Sequence, residues 1–536
     1  MTANTSSPAQ RPRVVVIGAG IGGLCAAVRL SHGGCSVTVV DGRPSVGGKM
    51  RCIASAAGPV DAGPTVLTLR AVFDAVFAAA GTRLEDHLTL IPQPILARHW
   101  WDDGSTLDLH ADRDTNADAI RIFAGAQAEA QFRRFDALTA QAFAAFDAPL
   151  MQAARPQFGT IARAALRRPR LWPLLLPGMT LARALALQFS DPRLRQLFGR
   201  YATYVGGSPF QSPAVLGLVW QAEARGVWAV QGGMHRLAQA LQSLAEAGGA
   251  RFRFGTMAER ITDQWGQINS VVLTDGSSLP ADHVVFNGDP AALAAGLLGK
   301  AARRATPPLA TVPRSLSANV WTFAATPQGP VGPQGLIHHN VFFAHDPKAE
   351  FGPIAQGHLP TDPTLYVCAQ DRTGTEAPEG PERFEIILNA PSGLAHNAGD
   401  AHRCRDLTLS QLARFGLRFS PMPDPETEPT ALTTPARFAR MFPASGGAIY
   451  GRSPHGLMAA FQRPGARTAL TGLYLAGGGA HPGAGVPMAA RSGLHAAEAI
   501  LTDLALGSAS GRMAMPGGTS TGSAPVAAMR FPSSGS

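Results

Sequence analysis

At 536 residues the chain is longer than one hydrophobic core usually covers, so two or more domains are expected, with room for a large cofactor. Charged residues make up only 15% against 45% apolar, and 46 Lys+Arg outnumber 37 Asp+Glu to give +9, a sign that suits phosphates, lipid headgroups or nucleic acid without choosing among them. The five cysteines, Cys25, Cys35, Cys52, Cys368 and Cys404, include no C-x-x-C pair, which argues against a zinc knuckle or a redox dithiol and for reduced thiols.

The polar leader 1–12 lacks an apolar h-region, and nowhere is there an unbroken run of about 18 apolar residues, so neither a signal peptide nor a membrane span is expected. Arg13 to Ile17 reads as a β-branched strand, Gly18 to Gly23 as a tight turn and Leu24 to Leu30 as a helix. A second β-branched run, Ser36 to Val40, ends at Asp41 and closes a βαβ unit. Gly18-Ala-Gly20-Ile-Gly22-Gly23 fits G-x-G-x-x-G, in which glycines make the turn, admit a pyrophosphate and seat the helix. Alone, such a match also fits a plain glycine turn, and Asp41 an exposed turn residue. The strand before it, the helix after it and a carboxylate about 20 residues on, placed for ribose hydroxyls, favour a dinucleotide site.

Val46-Gly47-Gly48-Lys49-Met50 follows, where backbone can pass close over the cofactor with a cation beside its phosphates. Short strands at Arg251–Phe254, Ser270–Leu273, His283–Phe286 and Gly472–Leu475 supply the rest of the dinucleotide fold, the last feeding a glycine-rich turn and a helix from about Ala489 to Leu504. The cofactor domain is therefore expected to be discontinuous, built from 13–95, 225–295 and 456–506. The intervening 96–224 and 296–455, aromatic and aliphatic without phosphate turns, read as inserted mixed α+β substrate-binding material. The leader 1–12 is expected to be flexible, and the Ser/Gly/Pro/Ala-rich tail 507–536 disordered.

With Asp61-Ala-Gly-Pro-Thr65 and Leu475-Ala-Gly-Gly-Gly479-Ala-His-Pro-Gly483-Ala-Gly485-Val-Pro-Met488, these motifs resemble the FAD-containing amine oxidase and phytoene desaturase superfamily. The resemblance implies an α/β chain with a Rossmann-type FAD-binding domain, in which the late run packs against the flavin. FAD is then expected on Gly18, Gly20, Gly22, Gly23, Asp41, Gly48, Lys49, Gly63, Pro64, Thr65, Met257, Gly477, Gly478, Gly485, Val486, Pro487 and Met488, with no metal. No second G-x-G-x-x-G exists to hold NAD(P)H, so the substrate itself is the expected reductant, in a dehydrogenation.

Arg200-Tyr-Ala-Thr-Tyr-Val-Gly-Gly-Ser-Pro-Phe210, Gly226-Val-Trp-Ala-Val-Gln-Gly-Gly-Met234, His338-His-Asn-Val-Phe-Phe343, Tyr366-Val-Cys-Ala-Gln-Asp-Arg372 and Phe442-Pro-Ala-Ser-Gly-Gly-Ala-Ile-Tyr-Gly451 narrow the resemblance to the bacterial 1-hydroxycarotenoid 3,4-desaturases (methoxyneurosporene dehydrogenases). It implies a C3–C4 double bond introduced into acyclic 1-hydroxy- or 1-methoxy-carotenoids. Two departures stand out: Asp41 where the superfamily often has Glu, and Ala480 before His481 where phytoene desaturases tend to have Thr. Alternatives are a phytoene desaturase, an amine oxidase, which the 7% aromatics disfavour, and a non-catalytic isoprenoid-binding protein like the Rab GDP-dissociation inhibitors.

Arg200, Tyr201 and His338 are candidates for the substrate face, each with a bland reading as structural corner or strand cap, and Tyr204 accompanies the first two. His481, a loop histidine, is not expected to be catalytic. Between Ile161 and Phe189, Arg163, Arg167, Arg168, Arg170 and Arg183 stand among leucines and Trp172, a pattern suited to a membrane interface or, otherwise, to a helix pair broken at Pro173 and Pro177. A protein bound peripherally to the cytoplasmic face of a membrane is expected, with a long apolar carotenoid as partner and no nucleic acid.

Overall fold

The computed structural model describes residues 11–306, 312–330, 335–374, 378–394 and 399–513. The expected disordered tail is corrected in part, because the last helix, Val486–Met513, runs past residue 507; 514–536 lie outside the described residues, as do 1–10 of the leader. Pro12 is held, its carbonyl accepting from the Ser36 N–H at 2.8 Å.

Five short strands form a parallel sheet in the order Leu473–Leu475, His283–Phe286, Arg13–Ile17, Ser36–Asp41, Arg251–Phe254. Near-continuous Val/Ile runs suit strands buried on both faces, and here one face is covered by the helices Ile21–His32, His235–Ala247 and Val486–Met513. The first helix packs closely on the last, because Gly493 lets its backbone lie against the Gly22 carbonyl. The expected strand around Ser270–Leu273 does not join this sheet. It belongs to Gln267–Leu273 in an antiparallel three-stranded meander with Ala258–Gln264 and Ser278–Pro280, which covers the opposite face through Ile261, Val271 and Leu273. Local β-branching announced a strand, but pairing was set by the tight turns on either side.

A second, eight-stranded sheet is largely antiparallel. Its central strands Ser317–Gln328, Glu382–Ala390, Leu365–Ala369 and His339–Phe342 continue into Ile95–Trp100, which joins in parallel, and Thr106–His110. One face packs Trp321, Phe323, Phe384, Ile386 and Leu388 into a core beneath the helix Asp400–Arg414. The other faces a cavity, closed opposite by helical segments from Arg113 to Ala224.

Candidate active site

The cavity measures about 1620 Å³ and runs from the first βαβ turn to the open face of the large sheet. That exceeds the roughly 300–1,000 Å³ of an ordinary small-molecule site, enough for a dinucleotide and a second long ligand together.

Backbone builds its first end. Gly18, at φ +101°, donates its N–H to the Val40 carbonyl at 2.8 Å, and the helix that starts at Ile21 points its amino end into the cavity. A Cβ on Gly22 would meet the Gly477 nitrogen at 2.6 Å and Asn287 Oδ1 at 2.7 Å, so the early turn and the late run meet only because no side chain intervenes. The Asp41 carboxylate lines the cavity and accepts from the Ala19 N–H at 2.8 Å and the Arg43 N–H at 2.9 Å, fixing the turn while keeping lone pairs free for a ribose. Gly47 donates to the Ala19 carbonyl at 2.9 Å, which draws the second glycine pair over the first.

The structure brings together on one wall Gly18, Gly20, Gly22, Asp41, Gly48, Lys49, Gly63, Pro64, Thr65, Met257, Gly477, Gly478, Gly485, Val486, Pro487 and Met488. Gly23 is not among them: a Cβ there would lie 2.1 Å from the Gly18 carbonyl oxygen, so its lack of a side chain serves packing, one residue past the turn that lines the cavity. Lys49 hydrogen-bonds the Ile449 carbonyl and lies 5.2 Å from the Phe442 ring, and burial lowers its pKa to about 8. Asp61 caps the helix His235–Ala247, accepting from the N–H groups of Met234 at 2.5 Å and His235 at 3.2 Å, and so anchors the Gly63-Pro64-Thr65 segment behind it. Val486, Pro487 and Met488 form the first turn of the last helix, a second helix start facing the cavity.

Side chains build the other end. The turn Arg200–Val205 is a 3-10 helix, so Arg200 and Thr203, one period apart, share the cavity face, and Tyr204 lines it beside them. Tyr201 is corrected: it is packed into the core against Phe198 and Trp220 and does not line the cavity. Glu223 joins the group, accepting from the Tyr201 and Tyr204 hydroxyls at 2.6 Å each, while Arg200 donates to the Tyr204 hydroxyl at 2.7 Å and lies 4.9 Å from its ring. Burial pushes both tyrosines well above their ordinary range, so each remains a hydrogen-bond donor.

His338 is also corrected. It is buried in a separate small recess of about 190 Å³, with its Nδ1 at 3.0 Å from the Ala369 carbonyl, because it precedes the strand whose Val341 turns to the main cavity. Burial lowers its pKa to about 4 and that of the adjacent His339 well below the ordinary value, so both are neutral at physiological pH. The donor atoms of His338, His339 and Cys368 lie within 4.8 Å of one another, behind the cavity wall. His481 bonds the Ala153 carbonyl at 2.9 Å and does not line the cavity.

Sequence reasoning missed several lining residues. Asn287 donates to the Gly18 carbonyl at 3.0 Å and touches both glycine runs, and Tyr366 shares its hydroxyl with Thr65 at 2.7 Å and His339 at 2.7 Å. Glu350 and Asn389, 2.8 Å apart, line the wall farther along, and burial raises Glu350 to about 7. Glu385 is fully buried on the same wall. Asn287 directly follows the strand His283–Phe286, a position that flags it in hindsight; the others carried no local signal.

The profile of the family described as flavin containing amine oxidoreductase matches residues 21–501. The hydroxyneurosporene desaturase of Cereibacter sphaeroides is 60% identical over 494 residues, covering 92% of this chain and 98% of that protein. The hydroxyneurosporene desaturase of Rhodobacter capsulatus is 55% identical over 490 residues, 91% of this chain and 98% of that one. Among solved structures, a cofactor-site triple mutant of putrescine oxidase superposes with a TM-score of 0.55 at 15% identity, covering 92% of this chain and 99% of that one, a likeness of fold alone.

Proposed function

The chain belongs to the flavin-containing amine oxidoreductase family, and from that premise we propose that it is a carotenoid desaturase that introduces the C3–C4 double bond into acyclic 1-hydroxy- or 1-methoxy-carotenoids. It is an FAD-dependent oxidoreductase, and FAD is the cofactor that the glycine-built end of the cavity fits. Bound there, FAD supplies a hydride acceptor.

The observation that carries the reading is continuity: one cavity joins the dinucleotide cradle to a long wall of Val320, Val341, Phe343 and Ile387. Such a wall excludes water and holds an extended polyene by burial of apolar surface, worth roughly 25 cal/mol per Å². The helical and eight-stranded regions then serve as the substrate-binding part, inserted between the cofactor-binding segments. Relatives at 55–60% identity are named for a hydroxylated substrate, which favours it over phytoene.

The anaerobic reaction tests this directly. Stoichiometric hydroxyneurosporene should bleach the flavin absorbance without nicotinamide and give a product absorbing at longer wavelength. Bleaching that requires NADPH, or occurs with phytoene and not with hydroxyneurosporene, contradicts the assignment.

The substrate's solubility also supports a peripheral site on the cytoplasmic face of a membrane. The helix Phe158–Leu166 buries none of its residues, and Phe158, Leu166, Trp172, Leu176 and Leu187 are exposed among Arg163, Arg167, Arg168, Arg170 and Arg183. Ala182, on the helix that carries Leu187, lines the cavity, so an apolar route from this surface to the interior is short. No helix among the described residues is long and apolar enough to cross a membrane. At about 1 kcal/mol per Arg near an anionic leaflet, replacing Arg167, Arg168 and Arg170 with Gln should lower cosedimentation with anionic liposomes, and raised salt should do the same to the parent. Binding indifferent to both changes would return the segment to an ordinary surface.

A further inference from the structure

Along the strand Glu382–Ala390 alternate residues face opposite ways: Phe384, Ile386 and Leu388 enter the core, while Glu385, Ile387 and Asn389 face the cavity. Asn389 is satisfied by Glu350. Glu385 differs: it is wholly buried, and among the described residues neither carboxyl oxygen has a hydrogen-bond partner of ordinary geometry. Burial and the nearby Asp61 charge push its acid well above the ordinary range, opposed only by the Arg51 charge and the Gly63 N–H, so it presents a neutral O–H and a carbonyl oxygen to the cavity.

Its neighbours fix which end of the cavity this is. Gly63 and Asp61 belong to the segment before Pro64 and Thr65, and Tyr366, one strand over, hydrogen-bonds Thr65. Glu385 thus stands at the cofactor end of the apolar wall, two pleats from the Asn389–Glu350 pair. A buried polar group without a partner is costly, and one that faces a binding cavity is explained when the ligand supplies the partner.

The reaction dictates where such a partner lies. In a 1-hydroxy-carotenoid the hydroxyl is on C1 and the new double bond joins C3 and C4, so only C2 separates the carbinol carbon from C3, and the oxygen stands about 3–4 Å from C3. Recognition of the hydroxyl must therefore occur beside the reacting carbons, at the cofactor end. We propose that Glu385 is the specificity-determining residue that binds the C1 oxygen of the substrate, its carboxyl donating to and accepting from the hydroxyl, and donating only to a C1 methoxy group. This rests on the carotenoid desaturase reading.

The test uses the FAD-loaded enzyme with Glu385→Leu and Glu385→Gln, measuring kcat/KM for hydroxyneurosporene, the inhibition constant of neurosporene against it, flavin content and Tm. Glu385→Leu should lower kcat/KM for hydroxyneurosporene about 10–100-fold, chiefly through KM, while neurosporene binds as tightly as before or more tightly. Glu385→Gln, which keeps a donor and an acceptor, should lose less than about 5-fold. Flavin content should stay unchanged, and Tm in the absence of substrate should hold or rise in the Leu variant, because an unpartnered buried acid has been removed.

Equal losses for the two polyenes, or lost flavin in both variants, would overturn the proposal and assign Glu385 to the cofactor. A fall in Tm with unchanged discrimination would make it structural. If the parent enzyme leaves hydroxyneurosporene unreacted, the desaturase reading itself fails, an outcome separate from any effect of the variants.

Discussion

At one end of the cavity the lining is mostly main chain: Gly18, Gly20, Gly22, Gly47, Gly48 and Gly477 bring three backbone segments together, and Asp41 and Asn287 brace them with carboxylate and amide groups. At the other end the main chain is hidden in sheet hydrogen bonds and the lining is side chains, a broad apolar face carrying a few buried polar groups: Arg200, Tyr204, Glu223 and Glu350, with Glu385 where this face meets the glycine-built end. At Gly22 the first end has no room for an added atom. The second tolerates changes of shape and depends instead on how its buried polar groups are paired.

The contrast is sharpest at Gly22. Gly22→Val should abolish flavin binding and leave most of the protein insoluble, because the new Cβ meets backbone of Gly477 and Ala489 at 2.6 and 2.9 Å, which cannot swing aside. Gly20→Val, whose Cβ meets the Asn287 amide at 3.0 Å and Gly48 Cα at an ordinary 4.0 Å, should remain soluble yet lose flavin as its bulk enters the cavity. Absorbance at the flavin bands per mole of soluble protein distinguishes the two, and full occupancy of either variant would break the account of a backbone-built cradle.

At the other end, Glu223→Leu should cost about 3–5 kcal/mol, since the two tyrosine hydroxyls lose their shared acceptor and the buried Arg200, which donates to Tyr204, loses the nearby carboxylate charge. Flavin content should change little in the fraction that folds. Urea unfolding measures the loss, and a change below about 1 kcal/mol would show that the network is solvated.

The smallest effect depends on pH. Glu350 is raised to about 7 by burial, above its unfolded value, so the stability of its neutral form is fully present below about pH 4.5 and is lost as pH rises through 7. The parent should therefore lose up to about 3 kcal/mol relative to Glu350→Gln between pH 4.5 and 8. Parallel stability curves for the two proteins across that range would mean that Glu350 is ionised in the folded state.

The two ends also differ in how plainly the sequence announces them. A turn at positive φ, a helix start against a phosphate and a carboxylate at a strand end are local requirements, so Gly18 to Gly22, Asp41, Gly47-Gly48 and the run before Met488 are written as contiguous residues. Their geometry was set within a few residues of each. Gly23 escaped this because packing and ligand contact ask for the same residue type one position apart.

Which way side chains point was settled by the packing of the fold. Arg200 and Tyr201 are neighbours in the sequence, yet one lines the cavity and the other is packed into the core. Glu382, Glu385 and Asn389 share a strand with no reading of which face is buried core and which is cavity, because both faces are out of water and the usual alternation of polar and apolar is blurred. His338 looked suited to a substrate and is walled off by the strand that follows it. The glycine turns at one end of the cavity were legible in the chain, since short-range backbone geometry needs particular residues at fixed spacing. The substrate wall waited for the fold, since it is assembled from strands and turns hundreds of residues apart whose register no local pattern encodes.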